Sequence, residues 1–142
     1  MSSSESVLRW ERQWAHMLTR TRSNAAASAS RLRLAETNVQ RAKREAEAGD
    51  HDAALIFAEQ ALINAADALL SRDGYSATSH MARFSYPQLP GVYADERHLI
   101  DRIRSARNAA QYEAAGSVPQ ALAAAATKLA ARAIEEMRRL IA

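Results

Sequence analysis

Apolar residues recur at helical spacing along most of the chain, and the pattern predicts five helices and one long loop. In the first helix, over residues 4–21, Val7, Trp10, Trp14 and Met17 or Leu18 share a face. That face reads as a core or interface stripe rather than a membrane anchor, because its polar side mixes Glu11 and Gln13 with Arg9 and Arg12. The low-complexity stretch 23–30, SNAAASAS, leads into a second helix reaching Ala48, with Ser23 or Asn24 as its cap. Leu32, Ala35, Val39, Ala42 and Ala46 form its apolar line, opposite Arg33, Arg41, Lys43 and Arg44. Gly49 suits a helix stop, and Asp50 or Asp52 suits the cap of a third helix over 53–72. Caps and turn formers explain the GDHD at 49–52 better than a metal cluster, because His51 has no spaced partner.

The third helix is apolar around much of its circumference, through Leu55, Phe57, Ala58, Leu62, Ala65, Ala66, Leu69 and Leu70. It is expected at the centre of the fold, with Asn64 or Asp67 as a buried polar anchor. Residues 73–95 form the long loop, which holds Tyr75, Tyr86, Tyr93, Phe84, Pro87 and Pro90. Structureless loops of that length are uncommon in small domains, so a short helix is expected near 78–85. A fourth helix covers 95–115, with Asp95 as its cap and Gly116 as its stop. A fifth covers 118–141, with Pro119 in its first turn and a stripe of Leu122, Ala126, Leu129, Ala133, Met137 and Leu140. No internal repeat at a fixed period is evident.

Composition sharpens this picture. The 142 residues suit one domain, 1–142, and 48% of them are hydrophobic. Alanine supplies 33 of these, whereas Val, Ile, Leu and Phe total only 25, so the core is thin and alanine lets the helices approach closely. The chain has no cysteine, which excludes a disulfide scaffold, a thiolate zinc site and a cysteine nucleophile. Four glycines and three prolines are too few for the frequent turns of a sandwich or barrel. There is no run of about 18 apolar residues to span a membrane, and the N-terminus lacks the apolar segment of a secretory signal. A cytoplasmic, all-α domain is the expectation. The net charge of +3 divides into +4 over residues 1–49, −5 over 50–96 and +4 over 97–142. Basic ends flanking an acidic middle suit an ordinary solvated helical surface, a basic face for phosphate, or pairing of faces between subunits.

The fourth helix holds the residue that composition does not explain. At about 100° per residue, Leu99, Ile100, Ala106, Ala110 and Ala114 cluster around Ile103, and Arg107 falls inside their arc. Arg104, Gln111 and Asn108 line the adjoining flank, and Tyr112 faces away from the core. A guanidinium at the core edge needs a partner. One reading is structural: Arg107 pairs with a buried acid such as Asp67 or Glu59, and Tyr112 packs on a partner chain. The other is a phosphate or nucleic-acid site where two such helices meet.

Several short motifs occur here in a suggestive order: Gly49, the alanine-rich helix from Ala54 to Ala68, Ser79-His80, Arg107-Asn108, Tyr112 five residues after the arginine, and a final alanine-rich helix. Together they resemble the HEPN domain family, over residues 35–141, with 1–34 as an N-terminal helical extension. The resemblance implies an up-and-down helical bundle, often a homodimer, with the arginine motif near the dimer interface. Many members are metal-independent ribonucleases whose motif ends in histidine. Here Tyr112 takes that position and no histidine follows Asn108. A phenol, with an ordinary pKa near 10, is a poor general base at neutral pH.

The resemblance therefore implies a non-catalytic binding module that uses Arg104, Arg107, Asn108 and Tyr112. It also implies RNA or nucleotide binding, a homodimer, or a partner of the nucleotidyltransferase, toxin or antitoxin kind in a toxin–antitoxin or defence setting. The alternative is a ribonuclease in which Arg107 and Asn108 work with Tyr112 or with His80, should the loop bring that imidazole to Arg107. His80 also reads as a structural histidine that caps a helix or bonds a carbonyl. A scaffold of the tetratricopeptide kind is suggested by EAGDHDAALIFAEQAL at 47–62, against which stands the lack of a second copy. No cofactor or metal ion is implied, and no paired carboxylates or glycine-rich phosphate loop suggest a small-molecule enzyme.

Overall fold

The computed structural model describes residues 2–141, and they form an all-α bundle with a small two-stranded sheet at one edge. Helix α1 (Ser3–Gln13) opens on a capping box between Ser2 and Glu5. Helix α2 (Ala25–Glu47) is capped by Asn24, whose side chain accepts from the Ala27 amide at 2.9 Å. Helix α3 (His51–Asp73) is capped by Asp50, which accepts from Ala53 at 3.0 Å, and Gly74 closes it in the left-handed region at φ 88°. A Cβ on Gly74 would lie 2.9 Å from the Thr21 carbonyl oxygen, so this turn and the adjacent chain require glycine. Helix α7 (Gln120–Ile141) follows Pro119, whose carbonyl accepts from the Leu122 and Ala123 amides.

Helices α2, α3 and α7 pack on one another, with α3 at the centre. The expected stripes are the buried ones: Ala35, Val39 and Ala42 on α2, and Leu122, Ala126, Leu129, Ala133 and Met137 on α7. Leu140 is exposed, which ends the α7 stripe one turn early. On α3, Ala54, Ala58, Ala61, Ala65, Ala66 and Ala68 are fully buried beside Leu55, Leu62, Leu69 and Leu70. Alanine at so many contact positions removes the bulk that holds helices apart, so backbones approach closely. The Asn38 amide donates to Asn64 Oδ1 at 2.8 Å in the α2–α3 interface, which satisfies one expected polar anchor. By length and hydropathy α3 could cross a membrane, with a mean of 1.4, but 72% of that window is buried within the bundle, the state of a core helix. The mutual packing of three helices differs from the stacked pairs of a tetratricopeptide scaffold.

Three expectations need correction. The first helix does not run to residue 21: it stops at Gln13, a single 3-10 turn follows over Ala15–Met17, and Leu18–Arg20 form strand β1. Strand β1 pairs antiparallel with β2 (Tyr75–Ala77), with Leu18 opposite Ala77 and Arg20 opposite Tyr75. Thr19 and an aromatic partner at Tyr75 favour the extended form, and the tertiary pairing overrides the weak helical period. The stretch 73–95 is accordingly not a loop. It holds β2, the expected short helix α4 (His80–Phe84) and a further turn of helix, α5 (Val92–Asp95). Finally, α6 spans Arg97–Tyr112, so Asp95 ends α5 rather than capping α6, and Glu96 fills the cap position without a side-chain bond. Ala114 lies beyond α6 and is exposed. Asp52 secures the segment after it, accepting from the Gly116 amide at 2.5 Å and the Val118 amide at 3.1 Å.

Candidate functional site

Helix α6 lies on α3 through Ile100 and Ile103, with Leu99, Ala106 and Ala110 half-buried beside them. Arg107 emerges at the edge of this contact. Its Nε is 3.1 Å from Glu59 Oε1 on α3, with side-chain exposures of 27% and 3%. Burial raises the Glu59 carboxyl above the usual carboxylate range, and Arg107 and then Arg104 oppose that shift. Of the two acids expected as partners for Arg107, Glu59 takes the role. Asp67 serves a different arginine, Arg83.

Arg83 sits on α4, nine-tenths buried. Its Nε donates to Asp67 Oδ1 at 2.7 Å, its Nη2 to the Ala77 carbonyl at 2.9 Å, and its Nη1 lies 2.9 Å from His80 Nδ1. Ser79, not His80, caps α4, its hydroxyl accepting from Ala82 at 3.3 Å. His80 is pushed down to about 4, first by burial and then by the positive charges of Arg83, Arg104 and Arg107. Two of the arginines that act on it thus belong to α6. The His80 ring stacks near Phe84 at 5.9 Å and 15°, and Phe84 stacks near Tyr93 at 5.8 Å and 24°. Tyr93 donates to the Leu62 carbonyl at 2.9 Å, which anchors this aromatic row to the core. Burial raises the Tyr93 hydroxyl far above its ordinary value.

A cleft of about 210 Å³ opens between α4 and α6. Its aromatic wall is His80, Phe84 and Tyr93; Met81 and Ile100 add apolar surface, and Arg97, Arg104 and Asp101 supply charge. On α6, Arg97, Arg104 and Arg107 follow one flank, with Asn108 and Gln111 continuing it. Tyr112 ends the helix, 78% exposed. Eight residues, about 12 Å of helix rise, separate it from Arg104. The structure therefore brings His80 and Arg104 into one cleft, with Arg107 acting on the same imidazole, and leaves Tyr112 outside the cleft lining.

The N-terminal helix secures the other side of α4. Trp10 donates from Nε1 to the Ala82 carbonyl at 2.8 Å. It packs edge-on against Tyr75 at 5.1 Å and tilted against Tyr86 at 4.6 Å. Tyr75 donates to Glu11, and Tyr86 donates to Asp73 at 2.5 Å.

A family model, that of the HEPN domain, matches residues 28–142. The chain belongs to the HEPN domain family. No curated protein matches the sequence. The HEPN match contains α3, the Ser79-His80 pair and the whole of α6, and it begins within α2, so α1 and β1 lie outside it. In this HEPN chain the segment N-terminal to the matched region carries the tryptophan that holds α4. Sequence reasoning missed Arg83, Arg97 and the row of Phe84 and Tyr93. One signal was available: His80 and Arg83 stand three residues apart on an expected helix, which puts them on one face.

Proposed function

We propose that this HEPN chain is a non-catalytic binding module that takes RNA, or a nucleotide, along the α6 flank and the α4–α6 cleft. The observation that carries this reading is the line of Arg97, Arg104 and Arg107 beside the stacked His80, Phe84 and Tyr93. Cations that track a phosphate backbone, next to aromatic faces on which bases stack, are the working parts of single-strand recognition. Asn108 adds a polar contact on the same flank. Tyr112 stands where ribonuclease members carry their histidine. Its exposure suits contact with a second copy of this chain or with a partner protein of the nucleotidyltransferase, toxin or antitoxin kind, the setting the family suggests.

The specific observation favouring the alternative, a metal-independent ribonuclease, is the closeness of His80 to the charges of Arg104 and Arg107. Binding of a labelled single-stranded oligoribonucleotide, read by anisotropy and followed by gel analysis of the same samples, separates the two. The binding reading expects a complex that leaves the RNA intact, weakens on Arg97→Ala/Arg104→Ala, and shows a shallower salt dependence in that variant. Metal-independent cleavage that disappears in Glu59→Gln/Arg107→Gln overturns it. The paired change is used because removing Arg107 alone strands a buried acid. The mass in solution, with and without Tyr112→Ser, tests the second-copy contact: a dimer that persists unchanged in the variant removes Tyr112 from that role.

A further inference from the structure

An arginine side chain donates hydrogen bonds and accepts none. With Arg83 Nη1 2.9 Å from His80 Nδ1, that ring nitrogen must present its lone pair. The proton of the neutral imidazole then sits on Nε2. Arg83 is not free to turn away, because Asp67 and the Ala77 carbonyl hold its other two nitrogens. Among the described residues, no hydrogen bond engages His80 Nε2.

The arginines around the imidazole act in the same direction as its burial. Arg83 faces it from its own helix. Arg104 and Arg107 act on it from α6, where Arg97 and Asp101 also line the cleft, and Tyr93 comes from α5. Two acids of α3 are already committed, Asp67 to Arg83 and Glu59 to Arg107. Neither is therefore free to stabilise an imidazolium, Asp101 lines the cleft but among the described residues makes no hydrogen bond to His80, and the ring is held neutral down to about pH 4.

We propose that Arg83 is a positioning residue that locks His80 as the Nε2–H tautomer, so that His80 serves the cleft as a neutral donor to a phosphate oxygen and is not available as a general base. A base that deprotonates a ribose hydroxyl needs a free lone pair within reach. On His80 one nitrogen spends its lone pair on Arg83, and the other carries the proton. The choice of phosphate as acceptor rests on the RNA reading above and on Arg97 and Arg104 in the same cleft; the tautomer does not.

The test is long-range proton–nitrogen correlation of the histidine rings in the 15N-labelled full chain, with His80 assigned by its loss in His80→Gln. The ligand-free protein is expected to show an unprotonated Nδ1 and a protonated Nε2, unchanged from about pH 8 to about pH 5. An Nδ1–H tautomer, or titration near the ordinary histidine value, overturns the lock. In Arg83→Gln the imidazole is expected to titrate about one unit or more higher, a change that loss of stability alone does not produce. A folded Arg83→Gln with unaltered titration overturns the role of Arg83. Should that variant not fold, Asp67→Asn/Arg83→Gln removes the stranded carboxylate and is read in the same way. Millimolar inorganic phosphate is then expected to shift the Nε2–H resonance in the wild type and much less in Arg104→Ala. A locked tautomer with no phosphate response overturns the donor role and takes the RNA reading out of this cleft. RNA binding by a protein whose His80 titrates normally overturns the lock alone.

Discussion

The two sides of α3 solve opposite problems. Toward α2 and α7 it presents alanine and leucine, with the buried polar pair of Asn38 and Asn64 between them. Toward α4 and α6 it presents two acids, Glu59 and Asp67, and each holds an arginine from a different helix. The first side is stabilised by close packing, which is insensitive to pH and salt. The second depends on ion pairs partly removed from water, which contribute little net stability but are costly to leave half-made. One helix thus carries both the scaffold and the mount for the site, and a change on one side is expected to differ in kind from a change on the other.

The sharpest way to break this contrast is to remove one partner of the second side. Arg107→Met leaves Glu59 buried without its cation and is expected to lower stability by about 3 kcal/mol in urea unfolding. Adding Glu59→Gln should restore most of that loss; equal destabilisation in the single and double variants would show that the arginine acts only by packing. On the first side, Ala61→Leu pushes bulk into a fully buried position of α3. Its expected cost is about 1–3 kcal/mol, independent of pH.

The smallest effect is a pH dependence confined to the second side. The folded protein keeps His80 neutral down to about 4, whereas an unfolded chain protonates it near its ordinary 6.5. The associated stability is complete above pH 6.5 and declines as pH falls from there toward 4. Unfolding curves across that window should lose part of this decline in His80→Gln, and an unchanged slope in the variant assigns the decline elsewhere.

How far the site could be read beforehand follows from the range of the interactions. The periodicity of α6 was enough to show that Arg107 needs an acid, since an arginine inside an apolar arc is costly alone, and Glu59 was one of two acids offered. Choosing between Glu59 and Asp67 required the register of α6 on α3, which no local pattern encodes. His80 was recognisable as a candidate, but its tautomer depends on Arg83, whose orientation is set by Asp67 and the Ala77 carbonyl. Tyr112 was placed on the far face of its helix, and its 78% exposure agrees.

Helices α2, α3 and α7 and most of their buried stripes were determined by the sequence alone, which narrowed the caps to Ser23 or Asn24 and Asp50 or Asp52; the structure places them at Asn24 and Asp50 and leaves Leu140 exposed. Those features depend on residues three or four apart, where side-chain volume and capping chemistry act directly. Pairing of Leu18–Arg20 with Tyr75–Ala77, division of the 73–95 stretch into β2, α4 and α5, and the attachment of α4 by Trp10 were decided only by the tertiary structure. The contacts responsible join residues from 16 positions apart, as Arg83 and Asp67, to 72 apart, as Trp10 and Ala82, so no local pattern announces them, and the short elements they hold have too few internal bonds to form without them.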